Sequence, residues 1–582
     1  MQKSPPQLKS RIRDLLDGVY KGNDNAALAE QVIAAFWPEE DNQPRRRPRR
    51  PGNTLWTQGD AVLITYGDSI LDGIHKPLDL LRDFLLNHMS GAVNGVHILP
   101  FFPFTSDDGF AVTDFRKVNP SLGDWPDVTR IGERFYLMSD LVLNHVSSQG
   151  TWFNAYRQGK EPFDKFFFEA SPEDDLSMVV RPRTTPLLQE VDTVNGKKHV
   201  WCTFSHDQID LNFANPEVLL EIIRIIRLHV DKGVRIVRLD AVAFLWKEVG
   251  TPSIHLPQTH RVIKLLRLLC DFAAEPVVLL TETNVPKAEN LSYFGQCNEA
   301  HSIYNFPLPP LVLYALLSGS ARYLSGWSRA MPPAPMGCAY LNFTASHDGI
   351  GMRPAEGLLP QPEIDRMIDT VKQSGGVVSM RTLPDGRQSV YELNSAYFSA
   401  MARTFEGEDD HQIARFVCSQ TIVMSLEGIP AFYIHSMLAT PNDLEGVERR
   451  QMNRAINRHR WDYPTLRAKL ADPDSNQARV LGAMTERLRL RSRQPAFHPN
   501  ATQFTLSMDE RIFGVWRQSL DRTQSIFALH NVSNDTVTVP CSALNLIEDE
   551  SWVDLLSGEK IDPHGETIEV GPYQCRWITN LH

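Results

Sequence analysis

Gly233-Val-Arg-Ile-Val-Arg-Leu-Asp240 decides the fold. Val and Ile dominate the run, no turn former interrupts it, and it ends in a carboxylate. It reads as a short buried strand. Arg238 and Asp240 are two residues apart, so on a strand they share a face. A lone Arg-x-Asp pair usually means a surface ion pair of little consequence. Here the pattern recurs. Pro276-Val-Val-Leu-Leu-Thr-Glu282 and Leu341-Asn-Phe-Thr-Ala-Ser-His-Asp348 read as further strands ending in carboxylates. Phe135 to His145 reads as a run ending in Asn144-His145. Packing alone gives no reason for polar residues at the same end of four separated apolar runs. The C-terminal end of a parallel barrel does.

Outward from these runs, strands alternate with amphipathic helices. Ala61–Tyr66 and Gly95–Pro100 are the first two expected strands, and Pro77–His88, Glu221–Val230 and Thr259–Phe272 are expected helices. This alternation predicts an α/β fold, a (β/α)8 TIM barrel over residues 59–147 and 213–498. Residues 148–212 and 349–400 break the period, the second with Gly375-Gly376 and Asp385-Gly386 as turn signals. They are expected to be an inserted subdomain after strand 3 and a loop subdomain after strand 7. Residues 1–58 read as a helical N-terminal extension, with Ile12, Leu15, Leu16 and Val19 at helical spacing. From 499 to 582 short strands and turns predict a C-terminal all-β domain.

The 582 residues suffice for more than one domain. A net charge of −11 argues against general nucleic-acid binding and requires a local cation for any anionic substrate. The run Arg45-Arg46-Arg47-Pro48-Arg49-Arg50 is short and reads as a solvated linker. Seven cysteines without a C-x-x-C pair argue against a zinc or disulfide framework and fit a reducing compartment. No signal-peptide core or membrane-spanning apolar run is visible. The expectation is a cytoplasmic protein with no membrane or nucleic-acid partner, and a homodimer as the candidate assembly.

Asp240, Glu282 and Asp348 would meet at one barrel mouth. Three carboxylates suit a divalent metal or a glycosidic bond. A permanent cation at Arg238 is awkward beside a metal and is expected to lower the Asp240 pKa. His145 and His347 offer donors to sugar hydroxyls, and Phe110 and Phe244 offer apolar faces. In a retaining mechanism Asp240 fits the nucleophile and Glu282 the acid, its pKa raised by the apolar strand. Asp348 would bind sugar hydroxyls in the transition state.

Asp140-Leu-Val-Leu-Asn-His145, Arg238-Leu-Asp240, the Glu282 strand and His347-Asp348 resemble, in order, the four short motifs of the α-amylase superfamily. The resemblance spans residues 60–582. Within it the chain looks like the sucrose phosphorylase group. That likeness lies in Ser106-Asp-Asp-Gly-Phe110, Arg181-Pro-Arg183, Arg238-Leu-Asp-Ala-Val242, Ser346-His-Asp-Gly-Ile-Gly351, Tyr391-Glu-Leu-Asn-Ser395 and Asn453-Arg-Ala-Ile-Asn-Arg458. It implies a nucleophile at Asp240, an acid/base at Glu282 and a transition-state stabiliser at Asp348. It also implies glucose-binding roles for Asp107, Phe110, His145, Arg238, His347 and Arg454. Arg183, Phe244, Tyr391 and Glu392 would serve phosphate and the acceptor. Phosphate is then a co-substrate, and no cofactor or metal is needed. The alternative for Arg183 is a loop ion pair with Asp174 or Asp175.

Sucrose-cleaving members carry Gln where this chain has Glu392, which speaks against sucrose. The N-terminal extension and Glu282-Thr-Asn-Val-Pro286 look more like the glucosylglycerol and glucosylglycerate phosphorylases. A carboxylate at Glu392 accepts hydrogen bonds from a small polyol and repels glycerate unless Arg183 or Lys247 compensates. The expected reaction is therefore phosphorolysis of 2-O-α-glucosylglycerol to α-glucose 1-phosphate and glycerol. Glucosylglycerate is the alternative, followed by sucrose or sucrose 6-phosphate. A glucosidase or transglucosidase, or a non-catalytic carbohydrate-binding barrel, are the readings from other classes.

Overall fold

A computed structural model describes residues 6–38, 44–45, 55–382 and 387–580. Residues 1–5, Arg46–Arg50 and the Asp385-Gly386 turn lie outside them. Eight parallel strands close a barrel: β1 (Val62–Thr65), β2 (Gly95–Ile98), β3 (Tyr136–Val142), β4 (Val234–Asp240), β5 (Val278–Thr281), β6 (Ser302–Tyr304), β7 (Ala339–Asn342) and β8 (Ile429–Tyr433). β8 pairs with β1 to close the ring. These strands are buried on both faces, which is why they read as unbroken apolar runs rather than alternating ones.

The registers set the site. Asp140 lies opposite Arg238 and Val142 opposite Asp240, while Arg238 lies opposite Leu280 on its other side. Gly233, at φ 99°, turns the chain from the preceding helix into β4, a conformation L side chains rarely adopt. Glu282 directly follows β5. Asp348 differs from expectation: β7 stops at Asn342, whose side-chain amide donates to the Glu427 carbonyl at 2.8 Å. His347 and Asp348 therefore stand on the loop beyond the strand.

The N-terminal extension forms two helices, α1 (Pro6–Asp17) and α2 (Asn25–Phe36), the latter capped by Asp24. They pack on α3 (Pro216–Asp231) and α4 (Pro257–Phe272), the helices before and after β4. Leu8, Ile12, Leu16, Val32 and Phe36 join the barrel's own core. Between β3 and β4 the chain makes a hairpin, Leu188–Thr193 with Gly196–Trp201, where no period was legible. After β7 it makes a three-stranded sheet in which Gln388–Asn394 lies between Ile350–Gly351 and Val377–Thr382. Beyond Ala501 the chain is an antiparallel β unit with a second apolar core around Phe527, Leu529 and Ile578. No helix among the described residues is long and apolar enough to cross a membrane.

Candidate active site

A cavity opens at the C-terminal end of the barrel. All thirteen residues expected from the sequence line it: Asp107, Phe110, His145, Arg183, Arg238, Asp240, Phe244, Glu282, His347, Asp348, Tyr391, Glu392 and Arg454. Lys247 does not. It is buried below, paired with Asp210 at 2.9 Å and donating to Asn144 at 2.6 Å.

Arg238 holds the Asp240 side together. It donates to Asp140 at 2.5 Å and to Asp240 at 2.6 Å, and stands 4.0 Å from Glu282. His97 contacts the other oxygen of Asp140 at 2.6 Å. Burial opposes the charge on Asp140, but His97 and Arg238 outweigh it and hold the carboxyl down at about 2. The expected lowering at Asp240 is not what the structure gives. Burial dominates there, the charges of Glu282 and Asp140 add to it, and Arg238, already shared with Asp140, offsets only part. The Asp240 carboxyl is raised rather than lowered. Glu282 is also raised, chiefly by burial, against Arg238 and the backbone N–H of Ala241. The two carboxyls thus titrate as a pair that favours one shared proton. Direct contact with Arg238 favours leaving the charge on Asp240 and the proton on Glu282.

Ala241, immediately after Asp240, is left-handed at φ 50°. This turn aims its N–H at Glu282 Oε2, 3.0 Å away. A strained residue thereby ties the carboxyl after β5 to the end of β4.

A second network holds the Asp348 side. Arg454 contacts Asp348 at 2.5 Å and donates through Nε and Nη2 to Glu392 at 3.0 and 2.9 Å. Burial opposes charge on Asp348, but Arg454, His347 and Arg458 outweigh it and hold the carboxyl well below the usual range. Arg458 also donates to Asp108 at 2.6 Å. Phe110 stacks face to face on His347, centroids 4.9 Å apart and planes 6° apart, so one ring face is already covered. His145 Nε2 lies 3.1 Å from both the Phe110 carbonyl and the Gln208 amide nitrogen. Burial lowers His145 to about 4 and His347 to about 3, which leaves both neutral at pH 7.

Glu392 corrects the sequence reading. It lies on a strand, not in an irregular loop, and is 3% exposed with both oxygens engaged by Arg454. It is not a free charge facing an acceptor. Arg183 avoids the ion pair that was its alternative. Asp174 instead accepts from the Ser171 N–H, and Asp175 accepts from Ser177. The Arg183 guanidinium lies over the rings of Tyr391 and Phe204, at 5.3 and 5.8 Å.

This geometry can carry out chemistry at an acetal carbon: a buried carboxylate held by a guanidinium, a neighbouring carboxyl that burial raises, and a third carboxylate kept ionised. The description "Alpha amylase, catalytic domain" matches residues 51–323. A glucosylglycerate phosphorylase of Spirochaeta thermophila is 45% identical, over 98% of each chain. The chain belongs to the α-amylase family. Relatives 38–45% identical to it are phosphorylases, and it is an enzyme of that phosphorylase group. A glucosylglycerate phosphorylase of Allomeiothermus silvanus is 41% identical over 99% of this chain and 100% of its own. A glucosylglycerol phosphorylase of Marinobacter adhaerens is 29% identical over 78% of this chain and 91% of its own. Among solved structures, the sucrose 6F-phosphate phosphorylase from Thermoanaerobacter thermosaccharolyticum superposes with a TM-score of 0.72 at 23% identity, covering 89% of this chain and 99% of that one.

For this α-amylase-family enzyme, sequence reasoning missed four contributors. Gln208 positions His145. Asp108 anchors Arg458. Asn284 and Arg353 line the cavity. Asn284 stands two residues beyond Glu282 and was within reach of sequence reading. Asp108 and Arg458 sit inside quoted motifs, but a contact spanning 350 positions has no local signal.

Proposed function

We propose that the protein catalyses the reversible phosphorolysis of an α-glucoside of glycerate, giving α-glucose 1-phosphate and glycerate with retention. The observation that carries this reading is the bidentate clasp of Glu392 by Arg454. The glycerol reading relied on a free Glu392 charge to repel an anionic acceptor, and both oxygens of that carboxylate are instead held by Arg454. Greater identity to glucosylglycerate phosphorylases than to a glucosylglycerol phosphorylase supports the same choice.

In the first step Asp240 attacks the anomeric carbon. The glycosidic bond breaks, its electron pair stays on the leaving oxygen, and Glu282 protonates that oxygen. Arg238 frees Asp240 for attack by favouring its charged form. The ionised Asp348 stabilises hydroxyls of the oxocarbenium-like sugar. In the second step a phosphate oxygen attacks the same carbon, Asp240 departs as carboxylate, and the phosphate proton passes to Glu282. Arg183 is the phosphate ligand in this reading, because a guanidinium grips two phosphate oxygens. Phosphate is a substrate, and the electron balance needs no cofactor.

The test is synthesis from α-glucose 1-phosphate with glycerate, glycerol, fructose and fructose 6-phosphate in turn, read as phosphate release. Fastest turnover with glycerate is expected. A preference for glycerol or fructose rejects the reading. Consumption of α-glucose 1-phosphate independent of any acceptor would instead favour a hydrolase.

A further inference from the structure

We propose that Arg353 is the ligand for the acceptor's carboxylate and so a determinant of specificity for a small hydroxy acid. This rests on the glycerate reading above and adds a residue to it.

Six arginines line the cavity: Arg181, Arg183, Arg238, Arg353, Arg381 and Arg454. Arg238 and Arg454 are each shared between two carboxylates. Arg381 is paired with Glu356, and Arg181 donates to the Thr185 carbonyl. Arg183 has its two aromatic rings. The guanidinium of Arg353 alone has neither a hydrogen-bond nor an ion-pair partner among the described residues, although the residue is only partly exposed. A guanidinium kept in a cavity without a counter-charge is poorly compensated until an anion arrives.

Its placement suits the leaving group. Glu282 protonates the leaving oxygen, so the acceptor must lie on the Glu282 side. Arg353 begins a short 3-10 turn just after the strand Ile350–Gly351. That strand pairs with the one carrying Glu392, and the Met352 N–H donates to the Tyr391 carbonyl at 3.0 Å. Gly351 packs so tightly on Asn284 that an added Cβ would lie 3.0 Å from its amide nitrogen. Asn284 follows Glu282 by two residues, so the turn is anchored beside the acid. Pro354 and Ala355 are buried and pin it there. A planar guanidinium matches a carboxylate in two parallel hydrogen bonds. With a net charge of −11, the protein as a whole does not attract such an acceptor, and a local cation must.

The test compares kcat/KM for glycerate with that for glycerol, in synthesis from α-glucose 1-phosphate. Arg353→Ala should lower the glycerate-to-glycerol ratio roughly thirtyfold, through the KM for glycerate, as loss of a charge-assisted pair does. Arg353→Lys should recover part of the ratio. A ratio that moves less than about threefold overturns the proposal, including the case where both acceptors decline together. Where Arg353→Ala fails to fold, Arg353→Gln, which keeps the stem, gives the same ratio test. A wild type inert toward glycerate overturns this proposal together with the reading beneath it. A wild type that uses glycerate, with a ratio insensitive to Arg353, overturns this proposal alone.

Discussion

The two ends of the cavity are built on opposite electrostatic plans. At the sugar end each cation is committed: Arg238 to Asp140 and Asp240, Arg454 to Asp348 and Glu392, Arg458 to Asp108. At the acceptor end Arg183 and Arg353 have no carboxylate partner among the described residues. The committed cations fix carboxylates whose positions must not relax as charge develops on the sugar. The uncommitted ones are free to meet two different anions in turn. The first plan gives geometry, and the second gives choice.

Breaking the sugar end should cost most. Asp240→Asn removes the nucleophile while its amide still accepts from Arg238, so a drop of roughly 10⁴-fold or more in kcat is expected with the melting temperature largely kept. Residual activity within tenfold of wild type would refute the assignment. Next is the proton. Burial raises Glu282 and its ionisation is needed only after the first step, so glycoside cleavage should fall as pH rises through the upper pKa of the Asp240–Glu282 pair. Glu282→Gln should lose roughly 10²–10⁴-fold on the glucoside and far less on α-glucosyl fluoride, whose leaving group needs no proton. Equal losses on both substrates would count against Glu282 as the acid.

The acceptor end should respond more mildly. Arg183→Ala should raise the KM for phosphate roughly tenfold and increase the share of glucose released by water. An unmoved phosphate dependence would remove Arg183 from the site. Glu392→Gln sharpens the contrast. With both its oxygens turned to Arg454 rather than to the acceptor, the variant should lose a few-fold in kcat with little change in the glycerate-to-glycerol ratio. A large change in that ratio would return Glu392 to the acceptor end.

The smallest effect belongs to a carboxylate at the far end of the barrel. Burial pushes Glu427 up to about 7, against the Ala334 N–H and Arg517. The folded protein holds that proton where the unfolded chain has released it, so Glu427 withdraws stability as pH climbs from about 4.5 through 7. Glu427→Gln keeps the acceptor for Ala334 and should gain roughly 1–2 °C in melting temperature over wild type at pH 8 relative to pH 5. No pH-dependent gain would mean that Arg517 compensates the charge after all.

The barrel and the identity of its lining side chains were legible because strand ends write themselves locally: an apolar run, then a polar residue. Arg238-Leu-Asp240 states both the pairing and the face. Pairing across the cavity was not legible. Glu392 reads as a free carboxylate until Arg454, 62 residues on, is seen to hold both its oxygens. The Asp240 shift was misread for a similar reason: Arg238 looked devoted to its neighbour but is shared with Asp140 from the adjacent strand. Arg353 was overlooked because an Arg-Pro step in a loop carries no sign that it faces a cavity.

The clasp of α1 and α2 on α3 and α4 orders events during synthesis. The apolar faces of the first two helices leave the ribosome about two hundred residues before α3 and α4, which cover them. At usual rates of elongation the hairpin waits roughly 10–50 s with Leu8, Ile12, Leu16 and Val32 uncovered. The nascent chain is therefore exposed to chaperones, and prone to aggregate, until α4 has been made. The docking that ends this interval also brackets the strand that carries the nucleophile.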